Sequence, residues 1–150
     1  MGEDRQALLE YYRKSRADLL AAIDGLSDEQ MVDPVLDGWS VKDHLAHLAV
    51  WDELRAAEVE RISAGYESAW RMTDEQAEAY NEMATPLRRS LSLEQVRWEL
   101  AGTRQRLLDA ISRATPRGLD ASLYGDAGLV SGHEAEHAGW ISEWRRKGGQ

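Results

Sequence analysis

Cysteine and phenylalanine are both absent from these 150 residues, and proline occurs only three times. Without a thiol the chain has no disulfide, no thiolate ligand and no cysteine nucleophile, so a metal held by side chains would need His, Asp or Glu. Without Phe, the six tryptophans must supply much of the aromatic core. No apolar run approaches the roughly 20 residues that a membrane-spanning helix requires. Met1-Gly-Glu-Asp-Arg5 opens into a polar amphipathic segment, where a signal peptide would have an apolar stretch. These features predict a cytoplasmic protein with no membrane partner. Positive charge is also short: 18 Lys and Arg against 27 Asp and Glu give a net charge of −9, which repels a phosphate backbone and argues against nucleic acid as a partner. The one basic cluster, Arg145-Arg146-Lys147, ends the last helical segment, where cations complement the helix dipole.

What remains is a globular balance, 43% hydrophobic and 30% charged, at a length that suits one domain over residues 1–150. Helical periodicity dominates. Leu8, Tyr12, Leu19, Ile23 and Leu26 recur at helical spacings and predict a first helix over about residues 4–25. Gly25, Pro34 and Gly38 then mark a loop. Ser40-Val-Lys-Asp43 resembles a capping box and opens a second helix from Val41 to near Gly65. Between Gly65 and Pro86 the pattern is less regular, with Thr73-Asp-Glu-Gln76 as a further capping box before a short polar helix. Ser92-Leu-Glu-Gln95 opens a third long helix that Pro116 and Gly118 close, and Ser131-Gly-His-Glu134 fits a capping box for a last helix reaching about Lys147. No window alternates with the period of two expected of strands. The prediction is an all-α, four-helix bundle with a long crossover between its second and third long helices.

All four histidines fall in two windows, His44 and His47 on the second long helix, His133 and His137 on the last. Residues four apart share a helix face, so His133 and His137 can aim two imidazoles at one point, as metal sites require. Glu134 would give the pair the look of a zinc protease, but the downstream third ligand of such proteases is missing. A third ligand therefore has to come from the other window. On a helical wheel His44 lies nearer the middle of the apolar stripe and His47 nearer its edge, and periodicity does not choose between them. Trp39, Trp51, Trp140 and Trp144 flank these windows; packing is the ordinary reading, and a substrate pocket walled by Trp51 and Trp140 is the functional one. Asp52, Glu53, Glu134 and Glu136 are either solvated surface charges or acid/base groups at the site.

Gly38-Trp-Ser-Val-Lys-Asp-His-Leu-Ala-His-Leu-Ala-Val-Trp51 resembles the second-helix signature of the DinB/YfiT-like four-helix-bundle superfamily, and His133-Glu-Ala-Glu-His137-Ala-Gly-Trp-Ile-Ser-Glu-Trp144 resembles its final-helix motif. Tyr80-Asn81 and Ser92-Leu-Glu-Gln-Val96 are similar to the DfsB/ClbS branch. The resemblance implies that His47, His133 and His137 are metal ligands, with His44 at a variable position. Three neutral imidazoles with an open position would suit Zn²⁺ or Ni²⁺ as cofactor, and the resemblance implies a low-molecular-weight thiol as a further one, with Tyr80 and Asn81 beside the substrate. The expected function is a metal-dependent thiol S-transferase or hydrolase acting on a small molecule. The alternative is a protective protein of the DfsB/ClbS kind that binds or inactivates a reactive electrophile, with or without metal. Superfamily members commonly look dimeric, so a homodimer is expected.

Overall fold

A computed structural model describes residues 3–126 and 128–149, and every structural statement concerns these. Six α-helices form, and no strand: α1 (Arg5–Ile23), α2 (Asp28–Val32), α3 (Val41–Ser63), α4 (Asp74–Arg88), α5 (Leu93–Ser112) and α6 (His133–Trp144). The four long helices α1, α3, α5 and α6 make the expected bundle. α3 packs most extensively on α5, α5 on α1, α1 on α6, and α6 touches α3 to close the ring. None of these helices is long and apolar enough to cross a membrane.

Three of the four expected capping boxes form. Ser40, Thr73 and Ser92 each accept a bond from the backbone N–H three residues on, and the side chain at that third residue accepts from the cap's own N–H. The fourth does not. α6 starts at His133 with Gly132 as its cap, and no side chain closes the box. Glu134 is instead buried and drawn inward by two arginines.

Those arginines belong to a polar layer with one member from each helix of the bundle. Arg16 of α1 donates to Asp52 of α3 at 2.9 Å and to Glu134 of α6 at 3.1 and 3.2 Å. Arg104 of α5 donates to Asp52 at 2.9 and 3.0 Å and to Glu134 at 2.6 Å. Their remaining N–H groups reach the carbonyls of Leu100 and Tyr12, and the Arg104 guanidinium lies 5.1 Å from the centroid of the Tyr12 ring. The layer divides the core in two: Leu9, Tyr12, Val59, Leu107 and Ile111 pack on one side, and Leu19, Leu45, Leu48, Leu100 and Ile141 on the other. Asp52 and Glu134 are therefore neither solvated surface charges nor free acid/base groups.

Two elements differ from the expected layout. The loop after α1 contains the five-residue α2, closed by a capping box between Ser27 and Gln30; a single turn is too short to show periodicity. The crossover carries a 15-residue α4, longer than expected, which runs two residues past Pro86 to Arg88. Pro86 cannot donate to the carbonyl of Glu82 one turn before it, and the helix ends two residues later.

The crossover is fastened on both sides. Glu58 of α3, fully buried, accepts from the Ser68 hydroxyl, from the N–H of Ala69 at 2.9 Å and from Arg61. Asp126, in the loop before α6, donates its N–H to the Trp70 carbonyl at 2.8 Å and accepts from the Met72 N–H at 2.6 Å. A Cβ on the neighbouring Gly125 would lie 2.0 Å from the Trp70 oxygen. Gly125→Ala must push this loop off the crossover, and a stability loss of about 1–3 kcal/mol is expected. A thermal midpoint equal to that of the parent chain would refute the close approach.

The basic cluster also has a defined place. Arg145 donates to the carbonyls of Ala22 and Asp24 at 2.9 and 2.8 Å, satisfying the open end of α1, while Arg146 and Lys147 pair with Glu143.

Candidate metal centre

The first three turns of α3 are enclosed on all sides: from Val41 to Asp52 only Lys42 escapes full burial. His44 and His47 thus enter the core on the face that meets α6, where His133 and His137 sit one turn apart. A tight turn places the lid of this cluster. Asp37 and Gly38 both adopt positive φ, 53° and 87°, and Leu36 and Trp39 exchange backbone hydrogen bonds of 2.9 and 3.0 Å across them. An Asp-Gly pair suits such a turn, since Gly accepts the left-handed region freely. Trp39 is thereby laid against the imidazoles, its ring centroid 5.0 Å from that of His44, 5.3 Å from His47 and 6.3 Å from His137.

The four imidazoles are not equivalent. The Nε2 atoms of His47 and His133 are 2.9 Å apart, and those of His133 and His137 are 3.1 Å apart. His47, His133 and His137 thus offer three ring nitrogens all within 4.8 Å of one another. His44 lies behind this group, its Nδ1 2.7 Å from the Nδ1 of His137, the ring nitrogen that faces away from the triad. Of the two candidates on α3, His47 is the one brought to the α6 pair.

Three Nε2 atoms facing one another form a poor hydrogen-bond set. A neutral imidazole has one N–H and one lone pair, and the His133 Nε2 meets two ring nitrogens at once, so at least one contact is left unbonded. A divalent cation accepts all three lone pairs. With metal–nitrogen bonds of about 2.0–2.1 Å, a tetrahedral ion sets its ligand nitrogens about 3.3 Å apart, close to the two short separations at His133 and within the 4.8 Å that encloses all three. The donor set therefore fits a three-histidine centre.

Protonation points the same way. Burial lowers all four histidines below their ordinary value of about 6.5. His44 falls to about 4, opposed only by the neighbouring Asp43 carboxylate. His47 falls to about 3 and His137 to about 2, each pushed further by the surrounding imidazoles. His133 is lowered too, by burial first and then by the Arg55 cation. At neutral pH the rings are uncharged, the form that ligates metal.

Two cavities flank the cluster. One of about 600 Å³ reaches His133 and is lined by Trp51, Arg55, Asn81, Ser131 and Glu136 among others. Trp51 Nε1 donates to Asn81 Oδ1 at 2.8 Å, and Tyr80 packs edge-on against Trp51 with centroids 6.1 Å apart. Trp70 joins them, 5.7 Å from Tyr80 and 6.2 Å from Trp51. Trp70 lies in the irregular segment after Gly65, where no helical period marks it in the sequence. The other cavity, about 550 Å³, is lined by Leu36, Trp39, His44, His137, Trp140 and Trp144. Trp140 is 53% exposed and lies against His137, whereas Trp51 is buried near His133, so the two tryptophans border different cavities. Of the four acidic residues named above, Glu136 lines the larger cavity at His133, Asp52 and Glu134 reach a small void behind His133 while held by the arginines, and Glu53 sits on the outer surface beside Arg106.

No curated protein matches the sequence. A crystal structure of an uncharacterised protein from Escherichia coli UTI89 shares the fold, with a TM-score of 0.78 over 96% of this chain and 94% of that one, at 17% identity. The family model of the DinB superfamily matches residues 11–141, a span that takes in both histidine windows and all four long helices in whole or large part. The chain belongs to the DinB superfamily.

Proposed function

We propose that His47, His133 and His137 hold a divalent metal, Zn²⁺ or Ni²⁺, and that the chain is a metal-dependent thiol S-transferase or hydrolase acting on a small molecule. The convergence of three neutral Nε2 atoms carries this reading. Bound there, the ion supplies Lewis acidity toward a thiol, a water or a substrate oxygen. The protein's own part is to hold three rings in place, to keep them unprotonated through burial, and to shape the approach. Trp51 offers apolar surface beside His133 and is backed by Trp70 and Tyr80, and its indole bond fixes the Asn81 amide at the cavity wall.

Protein purified without a polyhistidine tag is expected to carry or take up about one equivalent of Zn²⁺ or Ni²⁺, and His47→Ala to lose most of it. Uptake below about one tenth of an equivalent on titration would overturn the metal reading. A Co²⁺-substituted chain is expected to change its visible spectrum when a small thiol is added.

A protective role of the DfsB/ClbS kind is favoured by one separate feature. Trp51 at the cavity wall is held by its contacts with Trp70 and Tyr80, and non-covalent binding of a small electrophile against it needs no ion. Retention of electrophile binding by chelator-treated protein would support this role over the first.

A further inference from the structure

The geometry points to His44 as a positioning residue for the centre: its Nδ1 accepts the Nδ1–H of His137 and so holds His137 in the tautomer that leaves Nε2 free for a metal. The inference rests on the metal reading given above, and it concerns the one histidine that reading leaves without a task.

The two Nδ1 atoms are 2.7 Å apart with both rings buried, so one of them must carry a proton directed at the other. Two arrangements satisfy this. In the first, His137 carries its proton on Nδ1 and donates to His44, whose own proton is on Nε2. In the second, His44 donates from Nδ1 and His137 carries its proton on Nε2, the atom that faces His133 and His47. The pair holds two protons in both, and passing from the second to the first moves one along the Nδ1···Nδ1 bond while Nε2 of His137 loses a proton and Nε2 of His44 gains one. Only the first leaves a lone pair at the centre. A ligating imidazole is generally oriented by an acceptor at its other nitrogen, and losing such a partner weakens metal binding by about 10–100-fold.

His137 is singled out in this respect. Among the described residues no hydrogen bond is found at the Nδ1 atoms of His47 or His133, whereas His137 is gripped at Nε2 by the triad and at Nδ1 by His44. His137 is also flanked by Trp140, centroid to centroid at 4.7 Å, so its ring plane is set by packing as well as by the hydrogen bond. The acceptor must therefore lie where His44 places it, on α3 one turn before His47.

His44→Phe keeps a ring in the core and removes the acceptor; His44→Asn keeps an acceptor near the Nδ1 position. In untagged protein, Zn²⁺ competition against a chromophoric chelator is expected to show binding weakened about 10–100-fold in His44→Phe and within a few-fold of the parent in His44→Asn. Long-range ¹H–¹⁵N spectra of the parent chain with Zn²⁺ are expected to show His44 protonated at Nε2 and its Nδ1 bare of both proton and metal. Unchanged affinity in His44→Phe, metal on His44, or a proton on His44 Nδ1 in the Zn²⁺ form would each overturn the inference while leaving the three-histidine centre standing. A parent chain that binds no Zn²⁺ would overturn both. The spectra need no variant, so a substitution that fails to fold leaves the test intact.

Discussion

Glu134→Ala is expected to lower the stability of the chain by about 3–5 kcal/mol, because it strands two buried guanidinium groups on a single carboxylate. Arg16 and Arg104 each make bonds to both Glu134 and Asp52, and all four side chains are buried. At this chain length each kcal/mol shifts the thermal midpoint by roughly 2–4 °C, so the fall should be roughly 6–20 °C. Replacing all four members by apolar residues of similar volume is expected to recover much of the loss, since a buried ion pair is costly to form and far costlier to half-remove. A loss below about 1 kcal/mol in Glu134→Ala is the behaviour of an exposed salt bridge and would show that the layer is not buried in solution. The variant bears on function too. Glu134 follows His133 on α6 and ties that turn to α1 and α5 through the two arginines, so Zn²⁺ affinity should fall with stability.

The metal-free chain should be acid-sensitive at unusually mild pH. Each imidazole is held neutral in the folded protein, with folded values of about 4 for His44, about 3 for His47 and about 2 for His137. In the unfolded chain they titrate near 6.5, so below that pH the unfolded state takes up protons that the folded state does not. The stabilising contribution is thus complete above about pH 6.5 and is lost as pH falls toward the folded values, each group adding roughly 1.4 kcal/mol per pH unit to the slope. The window between about pH 6.5 and 4.5 lies above the ordinary carboxylate range, which isolates the histidines. Thermal midpoints measured in chelator are expected to fall steeply across it, and less steeply in His137→Phe. A midpoint that is flat over this window would contradict the burial of neutral rings. Zn²⁺ should raise the midpoint at neutral pH, with the gain shrinking as protons compete for the ligand nitrogens.

Much of the architecture follows from local rules that a sequence displays openly. The stripes of α1, α3 and α5 and the caps at Ser40, Thr73 and Ser92 depend on residues within a few positions of one another, so periodicity and cap chemistry locate them. The pairing of His133 with His137 is legible for the same reason, being a matter of one helical turn. The failed capping box at Ser131 marks the edge of this reasoning: the four residues have the right types, but two arginines from distant helices hold Glu134 more strongly than a backbone N–H does. A signal for those arginines was present. Arg16 and Arg104 stand at stripe positions between Tyr12 and Leu19 and between Leu100 and Leu107, where a charge needs a buried partner.

Other features arose only when the helices met. Choosing His47 over His44 lies beyond any helical wheel, because α3 is buried all round at this level and both faces qualify as inward. What separates them is which nitrogen of which α6 histidine each one reaches, 2.9 Å to His133 Nε2 for His47 and 2.7 Å to His137 Nδ1 for His44. The partnership of Arg16, Asp52, Arg104 and Glu134 has the same origin, one residue from each of four helices. The absences behave in the same way. The lack of cysteine and phenylalanine already confined metal ligation to His, Asp and Glu and aromatic packing to Trp and Tyr. Packing then took Asp52 and Glu134 out of contention by pairing them with arginines, and distributed the tryptophans around the histidines. Residue types and helix periods are encoded within a turn or two of chain, whereas a site between helices depends on rotations and depths that only packing sets.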